Sequence, residues 1–437
     1  MNKTKEILIT GFALFSLFFG AGNLLLPPLL GYNAGSDWFL VTLGFMITAV
    51  VIPILGILAH AKLQGTMYDF GKKVSPIFSV IYCIIVYLIA IAIPSPRTAA
   101  ATHEIAIYPL FNTSPLLTSS VYFGLVLLFV LNRSKILSFI GKFLTPLIVV
   151  MLFLVIGIGL FSSDMLMNPS NFKAPIVDGI LEGYQTFDAI GAVVVGAVII
   201  VSLNLKSNAS FEAKKELIIK SGFIAGSGLF IIYAGLIALG SFYGAEIFID
   251  DALSSDMQRA NLLMGISLRT LGPIGNLFLS VLIALACFTT AVGIVTGTAD
   301  YFKGLFKNSQ KAYVITAILG CALGILVGQL NFYSIIMIAL PVLMFIYPIT
   351  IILILLNVVP DKFASKAVFR MVVLITFLFS IPDFLKFIVP EESLSGLQGI
   401  IPLAKYSLGW VMPAFIMFIL VNIVDLYKAR KNYSPAR

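Results

Sequence analysis

The sequence predicts an all-α integral membrane protein with about twelve transmembrane helices, and three observations predict it. Of 437 residues, 59% are hydrophobic and only 11% charged, too little polar surface to coat a water-soluble globule of that size. The mean hydropathy is +1.05, and apolar runs of about twenty residues recur along the whole length, each long enough as a helix to cross a hydrocarbon layer of about 30 Å. The alternation expected of a barrel strand is not seen. Lipid must therefore be the solvent for most of the chain.

The first run, 7–30, follows Lys3 and Lys5 and superficially resembles a signal peptide. It is too long, lacks a small-residue cleavage site and runs into Pro27-Pro28, so it reads as the first span. The second, 38–61, ends at His60 beside Lys62, where the histidine reads as an interfacial residue. The third, 75–110, contains Pro94-Ser95-Pro96-Arg97-Thr98 and then His103 and Glu104 toward its outer end. The fourth and fifth, 116–131 and 136–161, flank a connection carrying Arg133 and Lys135, and the sixth and seventh are 176–204 and 218–242. The loop 243–273 then places Glu246, Asp250, Asp251 and Asp256 beside an apolar stripe of Leu262, Leu263, Ile266 and Leu268. Short helices lying over an external entrance are expected there, rather than a separate domain. Runs at 274–302, 312–328, 332–357, 367–388 and 404–427 complete the set.

With the N-terminus in the cytoplasm, all of the 28 Lys and Arg fall on the cytoplasmic side except Arg97, Lys173, Arg259, Arg269, Lys386 and Lys405. The positive-inside rule expects this asymmetry, and an even span count leaves both termini cytoplasmic in a cell membrane. The net charge of +8 is scattered singly between apolar runs, so it points to membrane orientation and not to nucleic acid. Cys83, Cys287 and Cys321 sit in separate apolar runs with no C-x-x-C spacing, which suits packing residues and neither a disulfide framework nor a zinc site. No His cluster, P-loop or G-x-S-x-G motif is present, so enzyme chemistry has no visible machinery. No obligatory protein partner is evident.

Two spans differ from the rest. The first holds Phe18-Phe19-Gly20-Ala21-Gly22-Asn23 near its middle, and the sixth holds Gly183-Tyr184-Gln185-Thr186-Phe187-Asp188-Ala189-Ile190-Gly191. These segments are five spans apart and cross the membrane in opposite senses, as a 5+5 inverted repeat with discontinuous helices 1 and 6 requires. The chain then divides into a first repeat, 1–161, a second, 176–357, and two extra C-terminal helices, 367–427, within a single membrane domain.

Gly20 and Gly22 let the backbone leave helical geometry, while Pro27 and Pro28 remove further donors. An unwound stretch in lipid is tolerable only where it lines a cavity or binds something. Half-helix N-termini suit a carboxylate, and freed carbonyls suit a cation or an ammonium; the same glycine pair also serves close helix packing. Asp188 is the most informative residue, since an acid near mid-span costs about 2.5–3.5 kcal/mol on insertion scales and faces a cavity or a partner. It would meet a substrate ammonium or a coupling cation, or cap the second half-helix, and these roles can coexist. Thr289 and Thr290 set two hydroxyls side by side in an apolar helix, hard oxygen ligands of the kind a small cation needs. Arg97 and Glu104 suit an external gate, although an arginine there also snorkels to the interface.

Phe15-Ser16-Leu17-Phe18-Phe19-Gly20-Ala21-Gly22-Asn23-Leu24 followed by Pro27-Pro28 resembles the first-span signature of the bacterial branched-chain amino acid:cation symporter family. Pro96-Arg97-Thr98-Ala99, Gly183 to Ala189, and Cys287-Phe288-Thr289-Thr290-Ala291-Val292-Gly293 resemble it as well. The resemblance implies sodium-coupled import of leucine, isoleucine and valine on a fold similar to the leucine-transporter-like superfamily, with Na+ as coupling ion and no other cofactor. It implies that backbone at Gly20, Ala21 and Gly22, next to Asn23, holds the substrate carboxylate. Carbonyls from Ser16 to Phe19 with the side chains of Thr289 and Thr290 would bind sodium. Backbone at Tyr184, Gln185, Thr186 and Phe187, with Asp188, would receive the ammonium or a second cation, and Phe18, Phe19 and Phe187 would wall the side-chain pocket. The chain departs from the family pattern at Ser95 and His103. A proton-coupled carrier or a channel for another small solute, with Asp188 as a titrating group, is the alternative.

Overall fold

The structure, a computed structural model, describes residues 3–132, 139–206, 209–249, 255–390, 396 and 400–433, and all regular structure among them is helical. In chain order the helices are α1 (Lys3–Phe18), α2 (Ala21–Ala34), α3 (Trp38–Met46), α4 (Ile52–Leu63), α5 (Met67–Gly71), α6 (Pro76–Ala92), α7 (Pro94–Ala101), α8 (Tyr108–Phe111), α9 (Pro115–Leu131) and α10 (Thr145–Ser162). They continue as α11 (Pro175–Tyr184), α12 (Asp188–Lys206), α13 (Phe211–Phe242), α14 (Ser255–Leu271), α15 (Gly275–Leu305), α16 (Gln310–Val327), α17 (Phe332–Val358), α18 (Lys366–Leu385) and α19 (Val411–Tyr433).

Nine helices among the described residues are long and apolar enough to cross a membrane, and the bent pair α11–α12 makes a tenth. The expected twelve differs from this for identifiable reasons. A break at Phe19 and Gly20 cuts the first run and leaves α1 only 16 residues long. Gly22–Leu63 counts as a single stretch of 42 residues although Gly35 (φ +47°) separates α2 from α3, so two spans of the sequence are counted once, and α9 has 17 residues. The last run also starts late, its helix beginning at Val411 rather than at 404. Arg133, Lys135, Asp250, Asp251 and Arg437 lie outside the described residues.

Two compact units are present. The first comprises residues 1–64 and 87–337. Within it α11 packs on α3, α13 on both α1 and α2, α12 on α4, and α16 against α15 and α9. Lipid tails are as apolar as the helices, so association depends on close packing rather than on a hydrophobic drive. The crossing of α2 and α13 is made by glycine: a Cβ on Gly31 would lie 1.8 Å from the Ile237 carbonyl oxygen, and one on Gly240 1.8 Å from that of Pro28.

Among its described residues the loop 243–273 forms one long helix, α14, where short helices are expected from the sequence. It buries Leu262, Leu263 and Ile266 and packs on α15, α2 and α10. Leu268, counted with that stripe from the sequence, is 49% exposed, because two residues beyond Ile266 a helix has turned by about 200°. His60 sits in the last turn of α4. It is fully buried, its Nε2 stands 2.9 Å from the Val193 carbonyl oxygen, and it occupies the space that the missing side chain of Gly196 leaves on α12. The three cysteines are buried free thiols.

The second unit comprises 65–86 and 338–437. There α18 packs on α19, Tyr82 donates to Thr350 Oγ1 at 2.9 Å, and Asn357 donates to the Phe70 carbonyl at 3.1 Å.

Candidate functional site

Both predicted interruptions are real breaks. At the first, α1 ends at Phe18 and Gly20 adopts an extended conformation (φ −115°, ψ −161°) before α2 starts. The N–H that a continuous helix would aim at the Ser16 carbonyl, that of Gly20, instead donates to Asn23 Oδ1 at 3.1 Å. At the second, the Thr186 hydroxyl donates to the Gly183 carbonyl at 2.8 Å and accepts the Asp188 N–H at 3.2 Å. Phe187 between them is held at φ +64°, a left-handed conformation that a bulky side chain adopts only under constraint. The axis bends by 41° across this turn.

The breaks meet through side chains. Asn23, at the start of α2, donates its Nδ2 to both carboxylate oxygens of Asp188, at 2.9 Å and 2.7 Å. Tyr233 from α13 donates to Asp188 Oδ2 at 3.0 Å and also touches the Asn23 amide. Asn23 and Asp188 are each 2% exposed. A charge so far from water is costly unless it is hydrogen-bonded, and these donors supply charge-assisted bonds. Tyr233 escaped the sequence reading; its one signal there is a polar-tipped aromatic in the middle of an apolar run. A hydrogen bond to a charged group contributes about 1.5–3 kcal/mol, so Tyr233→Phe should reduce solute uptake by about tenfold, measured as initial rate in vesicles containing equal amounts of protein.

Gly20, Gly22, Asn23, Arg97, Asp188 and Thr290 surround one cavity of about 40 Å³, with Phe18, Phe187, Ile190 and Val194 among its apolar lining. Thr186 lines it too. Phe19 stands behind the wall rather than in it, its ring stacked between Phe15 at 5.4 Å and Tyr233 at 6.1 Å. Tyr184 is buried in the packing at 1% exposure. Gln185 contributes its carbonyl, which accepts from Arg97 Nη1 at 2.8 Å.

Arg97 lines the central cavity. The helix is locally distorted at Ile93 (φ −120°, ψ −73°) between α6 and α7, and the Arg97 guanidinium lies over the Phe187 ring at 5.8 Å. Glu104 lies two helical turns on, in the wide turn Thr102–Ile107 and outside the cavity lining. On the α14 side, Arg259 Nη2 donates to Gln185 Oε1 at 3.3 Å, and Gln185 Nε2 donates to Glu182 Oε1 at 3.0 Å.

Ser16, Thr289 and Thr290 divide into two groups. The Ser16 hydroxyl donates to Thr289 Oγ1 at 3.0 Å, and Thr289 Oγ1 lies 2.8 Å from the Ser16 carbonyl and 3.0 Å from that of Ala286. Four oxygens of α1 and α15 thus converge where the break has released the Ser16 carbonyl, a donor set suited to a hard cation. Thr290 turns the other way, toward Gly20. Its hydroxyl oxygen is buried without a hydrogen-bond partner among the described residues, at the edge of the cavity, where a bound solute or ion would satisfy it. Groups of three or more His, Cys, Asp or Glu able to hold a metal are absent among the described residues.

Residues 3–428 match the sequence profile of a family described as branched-chain amino acid transport protein. The chain is 31% identical to the branched-chain amino acid permease BraB of Bacillus subtilis, covering 97% of this chain and 96% of that one. It is 32% identical to the branched-chain amino acid transport system 2 carrier protein of Pseudomonas aeruginosa, covering 97% of each, and 31% identical to the permease BrnQ of Escherichia coli, covering 99% of each. Its fold is similar to that of a sodium-coupled sialic acid symporter (TM-score 0.59, 13% identity, 96% of this chain and 90% of that one). It is also similar to MhsT in complex with L-phenylalanine (TM-score 0.55, 17% identity, 94% and 97%). Identities this low show the fold alone, which is the leucine-transporter-like fold.

Proposed function

The chain belongs to the branched-chain amino acid transport protein family, and from that premise we propose that it is a secondary symporter importing leucine, isoleucine and valine together with sodium by alternating access. It is a membrane transporter and not an enzyme, as its relatives are permeases and carriers. The observation that carries the finer reading is the buried Asp188 carboxylate, fixed by Asn23 and Tyr233 on a cavity where both broken helices end. An α-amino acid would set its ammonium on Asp188 and its carboxylate at the N-terminus of α2, near Gly20, Ala21 and Gly22, where peptide N–H groups have no partner within the helix.

Its aliphatic side chain needs only the apolar wall of Phe18, Phe187, Ile190 and Val194. One methylene in such a pocket is worth about 1–3 kcal/mol, so the three branched-chain substrates compete with one another while polar amino acids are rejected more strongly. Sodium would sit among Ser16, the carbonyl end of α1 at Phe19 and Thr289, while Thr290, turned toward Gly20, would face the solute cavity instead. One helix bundle would rock against the rest about this site, with both termini in the cytoplasm and the chain divided into repeats 1–161 and 176–357 and two further helices, 367–427.

Labelled isoleucine uptake into proteoliposomes, with and without an inward sodium gradient, tests the coupling, and equal uptake in both refutes it. Thr289→Ala removes one converging oxygen and should raise the sodium concentration for half-maximal uptake about tenfold, read from a sodium titration at fixed isoleucine. The second reading is a proton-coupled carrier, which the buried Asp188 carboxylate would serve. Uptake that follows pH and ignores sodium would favour it.

A further inference from the structure

We propose that Arg97 is the carboxylate anchor of this cavity, so that the site takes only solutes bearing both an ammonium and a carboxylate. The proposal rests on reading the cavity as the amino-acid site. It begins from the placement of a full positive charge, only 3% exposed, on the wall of the same cavity that Asp188 lines.

Several features of the fold are spent on putting it there. Arg97 lies one turn beyond the distortion at Ile93, and the carbonyl of Gln185 holds its Nη1 at 2.8 Å. The Phe187 ring lies beneath the guanidinium, on a residue held at φ +64°. Gly22 completes the seat: a Cβ on it would come within 2.8 Å of Arg97 Nη2, so only a glycine lets the guanidinium approach the first turn of α2 this closely. The end of α2 that attracts an anion through its dipole and its N–H groups therefore has a guanidinium beside it. A guanidinium can hold a carboxylate through two parallel bonds, where a lone N–H holds it through one.

Charge bookkeeping gives the ligand class. Asp188 and Arg97 place one negative and one positive group around one water-poor space, and a zwitterion matches both at once. An amine without a carboxylate would gain nothing from the guanidinium, and an acid without an amine would gain nothing from Asp188. Such a mismatch in a site built around buried polar groups excludes a solute far more strongly than a missing methylene does. An arginine that served only to brace α7 against the second break would not discriminate between solutes by their carboxylate.

The test uses the full chain in lipid nanodiscs, with competition against labelled isoleucine by unlabelled isoleucine and by isoleucinamide, which keeps the ammonium and the side chain but lacks the carboxylate. In the parent protein isoleucinamide should compete at least about a hundredfold more weakly. In Arg97→Gln, isoleucine should weaken by about tenfold or more while isoleucinamide changes little, so the ratio between them collapses. A bracing role would weaken both ligands together, and a ratio equal to the parent's in an Arg97→Gln protein that still binds isoleucine overturns the proposal. If Arg97→Gln does not yield folded protein by size-exclusion chromatography, Arg97→Lys decides. A shorter cation without the planar fork should compress the ratio partway, and an unchanged ratio there overturns the proposal equally. A parent protein that binds no isoleucine would instead sink the functional reading beneath it.

Discussion

Asp188→Asn should reduce isoleucine uptake by about two orders of magnitude with the protein still inserted and folded. The exchange preserves shape, so the effect is electrostatic. The Asn23 amide nitrogen lies within 2.9 Å of both carboxylate oxygens, so whichever way a new amide turns, an NH2 group faces an NH2 group. One charge-assisted bond is then lost and a donor is left against a donor. On the proposed binding mode the solute ammonium loses its counter-charge as well. Removing one partner of a buried charged pair costs about 2–5 kcal/mol, and each 1.4 kcal/mol is a factor of ten. Initial rates in proteoliposomes, beside an unchanged size-exclusion profile, provide the check, and a rate like the parent's would mean that the acid only caps α12.

Gly31→Ala should be the most damaging small substitution away from the cavity. Its new methyl carbon would lie 1.8 Å from the Ile237 carbonyl oxygen, which is backbone of α13 and cannot swing aside as a side chain does. The helices must part, and Gly240 against Pro28 at the same crossing would lose its contact too. Overpacking that side chains can absorb costs about 1–3 kcal/mol, and this collision falls at or above the top of that range. The damage also reaches the site, because α2 carries Gly22 and Asn23 while α13 carries Tyr233 one turn before Ile237. Thermal unfolding in detergent should show a clearly lower midpoint, and uptake should fall with it. An unchanged midpoint would show that α2 and α13 are not packed through their glycines.

Much of the site was legible in the chain because its signals are local. A Gly-x-Gly before two prolines, and an acid after Gly-Tyr-Gln-Thr-Phe, are chemical oddities in otherwise apolar helices, and each marks a true break. The misreadings concern partners. Arg97 lines the cavity beside the second break, a neighbour that its position along its own helix does not reveal. Thr289 and Thr290 are adjacent in sequence and so sit about 100° apart on a helix, facing Ser16 and Gly20 respectively.

The sequence by itself determined that lipid is the solvent, where the apolar runs lie, and which two of them cannot remain straight, since hydropathy and helix-breaking residues act within a single run. Only the tertiary structure decided that Asn23 and Asp188, 165 residues apart, share a hydrogen bond, that Tyr233 joins them, and that a guanidinium rests against Gly22. Those contacts depend on how closely helices cross, and that depends on the side-chain volume meeting at each crossing, which no single run contains.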